Sequence, residues 1–150
     1  MNIISETRKA LIERLKTITK ANGSYTDIGQ DVKDGWFNEV IRDEAAPRRM
    51  IVVQRAKGME PKGGPHGLRH QPGFLVVGAE RAELDDYEDL IEAIEIDLLR
   101  CLTPIEGVPP DWLPKGATAI KVGTPDPIPP GQGLTFAAVA VPIHITVFVE

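Results

Sequence analysis

From Val139 to Val149 every second residue is a β-branched apolar one: Val139, Val141, Ile143, Ile145, Val147 and Val149. Period-two patterning of this kind puts one face of a strand in a core. It predicts a closing strand over Leu134 to Val149, with Pro142 marking an edge or a bulge because proline cannot donate to a ladder. Two other stretches follow a helical period. Ile4, Leu11, Leu15 and Ile18, with Ile12 beside them, fall on one stripe. That predicts a helix over Ser5 to Lys20, capped by Ser5 and stopped near Asn22-Gly23. Leu84, Tyr87, Ile91, Ile94, Leu98 and Cys101 share one face of a second helix, Leu84 to Leu102, which Pro104 ends.

Shorter apolar runs complete the pattern. Met50 to Ala56 is rich in β-branched residues and follows Pro47, and Gly73 to Ala79 is a second such run. Tyr25 to Val32 reads as a weak strand broken near Gly29, and Trp36-Phe37 as a plug at an edge of the core. Between the two clear strands lies Lys57 to Pro72, KGMEPKGGPHGLRHQP. It has no apolar period, so it is expected to be a long loop at the tip of a hairpin, mobile until it meets a partner. Thr103 to Gly133 holds eight of the 13 prolines. It reads as a second irregular stretch, interrupted by a short strand at Ala117 to Val122. The expected class is α+β: a mostly antiparallel sheet with two main helices packed on one face, a long hairpin and a long Pro-rich loop. At 150 residues the chain suits a single domain, residues 1–150.

Charge is segregated along this layout. Between Arg81 and Asp97 there are eight acids (Glu83, Asp85, Asp86, Glu88, Asp89, Glu92, Glu95 and Asp97) against Arg81, whereas the whole chain carries only −5. On a helical wheel Asp85, Glu88, Asp89, Glu92 and Glu95 lie opposite the core stripe, with Ile96 among them. The first helix is basic on its outer face, through Lys9, Lys16 and Lys20. Arg55, Lys57, Lys62 and Arg69 concentrate in and beside the hairpin loop, where Glu60 is the only acid between Lys57 and Pro72. The negative overall charge argues against nucleic-acid binding by the whole surface. No apolar run free of charges is long enough to span a bilayer, and Met1 to Lys20 lacks the apolar core of a signal peptide.

No chemistry-bearing constellation emerges. The two serines, Ser5 and Ser24, sit at a helix start and in an Asn-Gly-Ser turn, and no nucleophile elbow is present. Cys101, the single cysteine, falls on an apolar stripe and reads as a core residue. His66 and His70 lack the further ligands that zinc requires. Lys57-Gly58 and Lys62-Gly63-Gly64 do not fit a phosphate loop, because a strand follows and no Ser or Thr succeeds a Gly-Lys. The acidic run at Asp85 to Asp89 lacks calcium-loop spacing. The expectation is a protein without catalytic, cofactor or metal sites, working through its surfaces.

The layout resembles the tail-terminator proteins of long-tailed bacteriophages, the lambda type included, over essentially the whole chain. The resemblance rests on the opening helix, the Tyr25 to Ile28 Tyr-x-x-Ile segment and the Pro-preceded strand at Met50. It continues through the long hairpin, the acidic helix ending Ile-Asp-Leu-Leu (Ile96 to Leu99) and the long final strand. The Pro-rich stretch before that strand departs from the pattern. The resemblance implies a virion protein, assembled in the host cytoplasm, that forms a six-membered ring at the head-proximal end of the tail. There it would end tube polymerisation and offer the head-joining surface. Implied partners are other copies of itself, the tail-tube protein and a head-completion or connector protein, with DNA passing near the ring lumen. The residues independently suggest a ring contact between the acidic face (Glu88, Glu92, Glu95, with Ile96) and basic groups. Those are Lys9, Lys16 and Lys20, or Arg55 and Lys57, with Lys62 and Arg69 in the loop. Two alternatives stay open: another head–tail joining or tail-completion protein, and a monomeric module that captures an anionic or protein partner.

Overall fold

The computed structural model describes every residue except Glu44, residues 83–86 and residues 132–134. Its centre is the closing strand β6 (Phe136–Val149). One edge of β6 pairs antiparallel with β3 (Gly67–Arg81), and the other pairs with β4 (Ala117–Val122) and β5 (Asp126–Ile128). β2 (Arg49–Gly64) pairs with β3, and β1 (Val32–Asp34) adds to β2 as a parallel strand. The resulting order is β1-β2-β3-β6-β4, with β5 also on β6. Pro142 is accommodated at a break between ladders, since β4 pairs with Ile143 to Val147 and β5 with Ala138 to Ala140. Its carbonyl accepts from Gly123 N at 2.8 Å, just past the end of β4.

Both main helices cover one face, as the patterning predicts. Leu11 and Leu15 of α1 (Ile3–Leu15) and Ile91, Ile94, Leu98 and Leu102 of α3 (Tyr87–Leu102) bury against Ile51, Val53, Phe74, Val76 and the alternating side chains of β6. α3 sits so close to β3 that a Cβ on Gly78 would lie 2.8 Å from Ile94 Cγ2. The opposite sheet face is not simply solvated. Phe37, on the short helix α2 (Phe37–Val40), closes a second cluster with Met50, Val52, Val77, Ala79, Phe136, Ala138 and Ala140. Trp36, expected beside it in the core, is 54% exposed.

Three boundaries differ from the sequence expectation, each for a reason visible in its hydrogen bonds. α1 starts earlier than expected because Asn2, not Ser5, is its cap: Asn2 Oδ1 accepts from Ser5 N at 2.9 Å. It also stops at Leu15, where the β-branched run Thr17-Ile18-Thr19 begins and the Thr17 hydroxyl donates to Arg14 O. Tyr25 to Gln30 is not a strand. The backbone amides of Tyr25 and Thr26 are committed to the Asp97 carboxylate at 2.9 and 2.8 Å, a short 3-10 turn follows at Ile28–Gln30, and the strand begins only at Val32. The predicted starts of the second helix and the last strand, Leu84 and Leu134, lie outside the described residues. β5 has no apolar pattern and was not expected.

The largest correction concerns Lys57 to Pro72. It is not a loop but the outer half of β2 and β3, paired as far as Gly64↔Gly67 around the turn at Pro65-His66. Leu68 to His70 also pair with Val147 to Val149, which makes the arm three-stranded near its end. Beyond its base at His70 to Pro72 the arm's side chains are mostly exposed, so no apolar period is required of it; ladder hydrogen bonds carry it instead. One of its glycines and one of its prolines coincide with irregularities. The register slips between Ala56 and Met59 and again between Met59 and Lys62, so Gly58 and Pro61 fall in β-bulges.

Two outcomes follow. Asp97 accepts from Tyr25 N, Thr26 N and, at 2.6 Å, the Thr26 hydroxyl, while only 2% exposed. Asp97→Ala would strand those donors and should cost about 2–4 kcal/mol in denaturant unfolding; a loss below about 0.5 kcal/mol would contradict this role. Amide hydrogen exchange of Leu68 to Gln71 should be slowed relative to an unstructured chain even in the monomer. Exchange at the free-peptide rate would restore the mobile loop.

Candidate functional site

α3 carries opposite chemistry on its two sides. Glu88 and Glu92 are exposed, Glu95 is half-buried, and Ile96 stands among them at 43% exposure. Asp85 and Asp86, which the sequence places on the same face, lie outside the described residues. Asp97 does not belong to this surface: it points inward and holds the Tyr25–Thr26 backbone. Among the described residues none of Glu88, Glu92 and Glu95 has an ion-pair partner; the four ion pairs are Arg8–Asp34, Lys16–Glu13, Lys33–Asp31 and Arg49–Glu80. The acidic face therefore meets solvent within one chain.

The basic candidates fall into three places. Lys9 and Lys20 are exposed along and just beyond α1, while Lys16 is held by Glu13 at 2.9 Å. α1 lies beside α3, with Arg14 Nε donating to Cys101 O at 3.1 Å, so these bases share the helical layer with the acids. Arg55 lies over the Phe74 ring, 5.3 Å from its centroid, and shields the end of the core. Lys57 is exposed at the first bulge, and its carbonyl approaches His144 Nε2 at 3.3 Å. Lys62 and Arg69 are brought together as direct cross-strand partners near the arm's end.

The arm also presents residues that the sequence analysis passed over. Arg69 is flanked by Lys62 on β2 and Phe148 on β6, so these three side chains form one row across three strands. One step inward on the same face is Met59, paired with Gln71, which donates to the Thr146 hydroxyl. Met59 and Phe148 are each 50% exposed, and Leu68, on the opposite face, is 39% exposed. A groove of about 570 Å³ runs along this end between residues 62–69 and 148–150. The signal was present in the closing strand: Phe148 breaks the pattern by placing a large apolar side chain on its otherwise less apolar face.

Nothing in the described residues assembles a reaction centre. Cys101 is half-buried with its thiol 3.5 Å from Arg14 O; burial pushes the thiol up, an effect that Arg14 partly offsets. A cleft of about 280 Å³ beside it is lined by Arg14, Pro104, Ile105, Val108, Asp111 and Trp112; Asp111 is its one carboxylate, and no histidine joins the thiol there. His66 occupies the exposed turn and His70 lies half-buried on β3. Among the described residues no group of three or more His, Cys, Asp or Glu could hold a metal ion, and no helix is long and apolar enough to cross a membrane.

No protein family and no curated protein matches the chain. Solved structures do. A chain in the virion of a native gene transfer agent (GTA) particle superposes with a TM-score of 0.64 over 98% of both chains, at 11% identity. At that identity the similarity is one of fold. The α+β sheet with its helices and arm is thus a fold that also occurs, over its full length, in a gene transfer agent virion.

Proposed function

We propose that the chain is a structural protein of a phage-like virion, and that within it the protein acts as a tail terminator. The observation that carries the first part is the end-to-end fold similarity to a virion component, with neither chain contributing an extra domain. The second part rests on the sequence resemblance set out above. In this reading six copies close into a ring on the head-proximal end of the tail tube and stop its polymerisation. The opposite surface receives the head-completion or connector protein, and DNA passes near the lumen. The protein works by contact, without bound cofactor or catalysis.

Segregated charge suits such a ring. A heterologous contact brings two different patches together and closes when the rotation permits. The unpartnered carboxylates of α3 supply one patch and the exposed bases of α1 or the arm the other. Individual exposed ion pairs contribute only about 0–1 kcal/mol, so the effect must be collective. Replacing Glu88→Lys, Glu92→Lys and Glu95→Lys together should leave far-ultraviolet circular dichroism unchanged. It should also shift the mass measured by light scattering from a ring towards the monomer, most strongly at low salt. Wild-type protein added to polymerising tail-tube protein should shorten the tubes. Wild-type protein that stays monomeric at all salt concentrations and leaves tube length unchanged would refute the terminator reading.

A further inference from the structure

Among the described residues neither Lys62 nor Arg69 has an ion-pair partner, although Glu150 lines the same groove. Gly78 marks where α3 crosses β3, because its Cα faces Ile94 and Leu98. From Arg69 to Gly78 the strand runs nine residues, about 30 Å at 3.3 Å per residue. α3 and its carboxylates therefore lie far from Lys62 and Arg69 of the same molecule. The bulged but continuous ladder, backed near its end by β6, prevents the arm from folding back. Among the described residues each chain thus carries two oppositely charged surfaces without ion-pair partners, set well apart along the sheet.

The two surfaces match in more than sign. On the arm, Met59 and Phe148 flank Lys62 and Arg69. On α3, Ile96 lies among Glu88, Glu92 and Glu95. A phosphate backbone would complement the bases but would leave two half-exposed apolar side chains unused. A mixed acidic and apolar helix face complements all four. Of the other basic candidates, Lys16 already has Glu13 and Arg55 lies over Phe74, whereas Lys9, Lys20 and Lys57 stay exposed, so the Lys9 control below tests α1 directly.

We infer that the arm face formed by Met59, Lys62, Arg69 and Phe148 docks on the acidic face of α3 in a second copy of this chain. This rests on the assembly reading above and narrows it, assigning the arm, and not α1, as the basic side of the contact. The same two patches recur on every copy, so the contact is heterologous and propagates around a ring.

Disulfide trapping tests it. In a Cys101→Ser background, Arg69→Cys and Glu92→Cys are introduced in separate proteins, as are Lys62→Cys and Glu95→Cys. A disulfide requires Cα atoms within about 7 Å. Mild oxidation of a mixed arm and helix pair should give a covalent dimer, and a protein carrying both changes should give a ladder of higher oligomers. A mixture of Lys9→Cys and Glu92→Cys should give none. In parallel, Phe148→Ser with Met59→Ser should raise the concentration for half-assembly at least tenfold, with the monomer's circular dichroism retained. If wild-type rings form but no arm–helix pair cross-links, the inferred contact is wrong while ring assembly stands. If the wild type is monomeric and no pair cross-links, both fall. If Lys62→Glu with Arg69→Glu abolishes retention on double-stranded DNA and leaves assembly intact, the arm faces phosphate instead, and the inference is overturned.

Discussion

β6 is the strand on which the rest of the molecule depends. It pairs along both edges, and its alternation feeds two clusters: Val139, Val141, Ile143, Ile145 and Val147 lie under the helices, and Phe136, Ala138 and Ala140 lie opposite. Small residues on the second side let α2 and Phe37 approach closely. A one-residue slip of β6 would exchange the two faces and place His144 and Thr146 under α1 and α3. Pro142 opposes one class of slip, since its missing donor is tolerated only where β4 gives way to β5. The outer end of the same strand stiffens the arm through Val147 to Val149. The strand that organises the core therefore also sets how far the basic surface stands from the acidic one.

Among the described residues, α3 carries core packing on one side and carboxylates without ion-pair partners on the other. Its inner stripe of Ile91, Ile94, Leu98 and Leu102 contains one carboxylate, Asp97, fully engaged by the Tyr25–Thr26 backbone. Its outer carboxylates have no partner within the described chain. Position on the wheel separates them only in part: Asp97, three residues beyond Ile94, is buried, Glu88 and Glu92 are exposed, and Glu95, four beyond Ile91, is half-buried. With Asp97 committed to the fold, the acidic surface available to a partner is smaller than the run of eight acids implies.

What was legible in the sequence followed from periodic burial. The two helices, β4 and the alternating β6 were readable because one face of each meets the core, and the α+β class followed from their order. The arm was not, because its ladder holds it and its side chains show no burial period. A glycine and a proline at bulges then look like loop chemistry. The turn at Ile28 and the second cluster around Phe37 depend on contacts between residues distant in the chain, as with Asp97 and Thr26; the cap at Asn2 is local, three residues from Ser5. For the candidate surface, the acidic face was legible from charge and wheel position, and the pairing of Lys62 with Arg69 was not. Nor was the role of Phe148 and Met59, since only the three-strand register brings them beside those bases.

In the proposed assembly, the arm carries a basic and apolar face away from its own acidic helix and onto a neighbour's. Electron cryomicroscopy of the purified, assembled protein tests this most directly. The account predicts closed rings in which each subunit's β2–β3 arm lies across α3 of its neighbour, with Phe148 beside the neighbour's Ile96. Rings whose arms project free of any helix, with α3 facing solvent all round the outside, would contradict it.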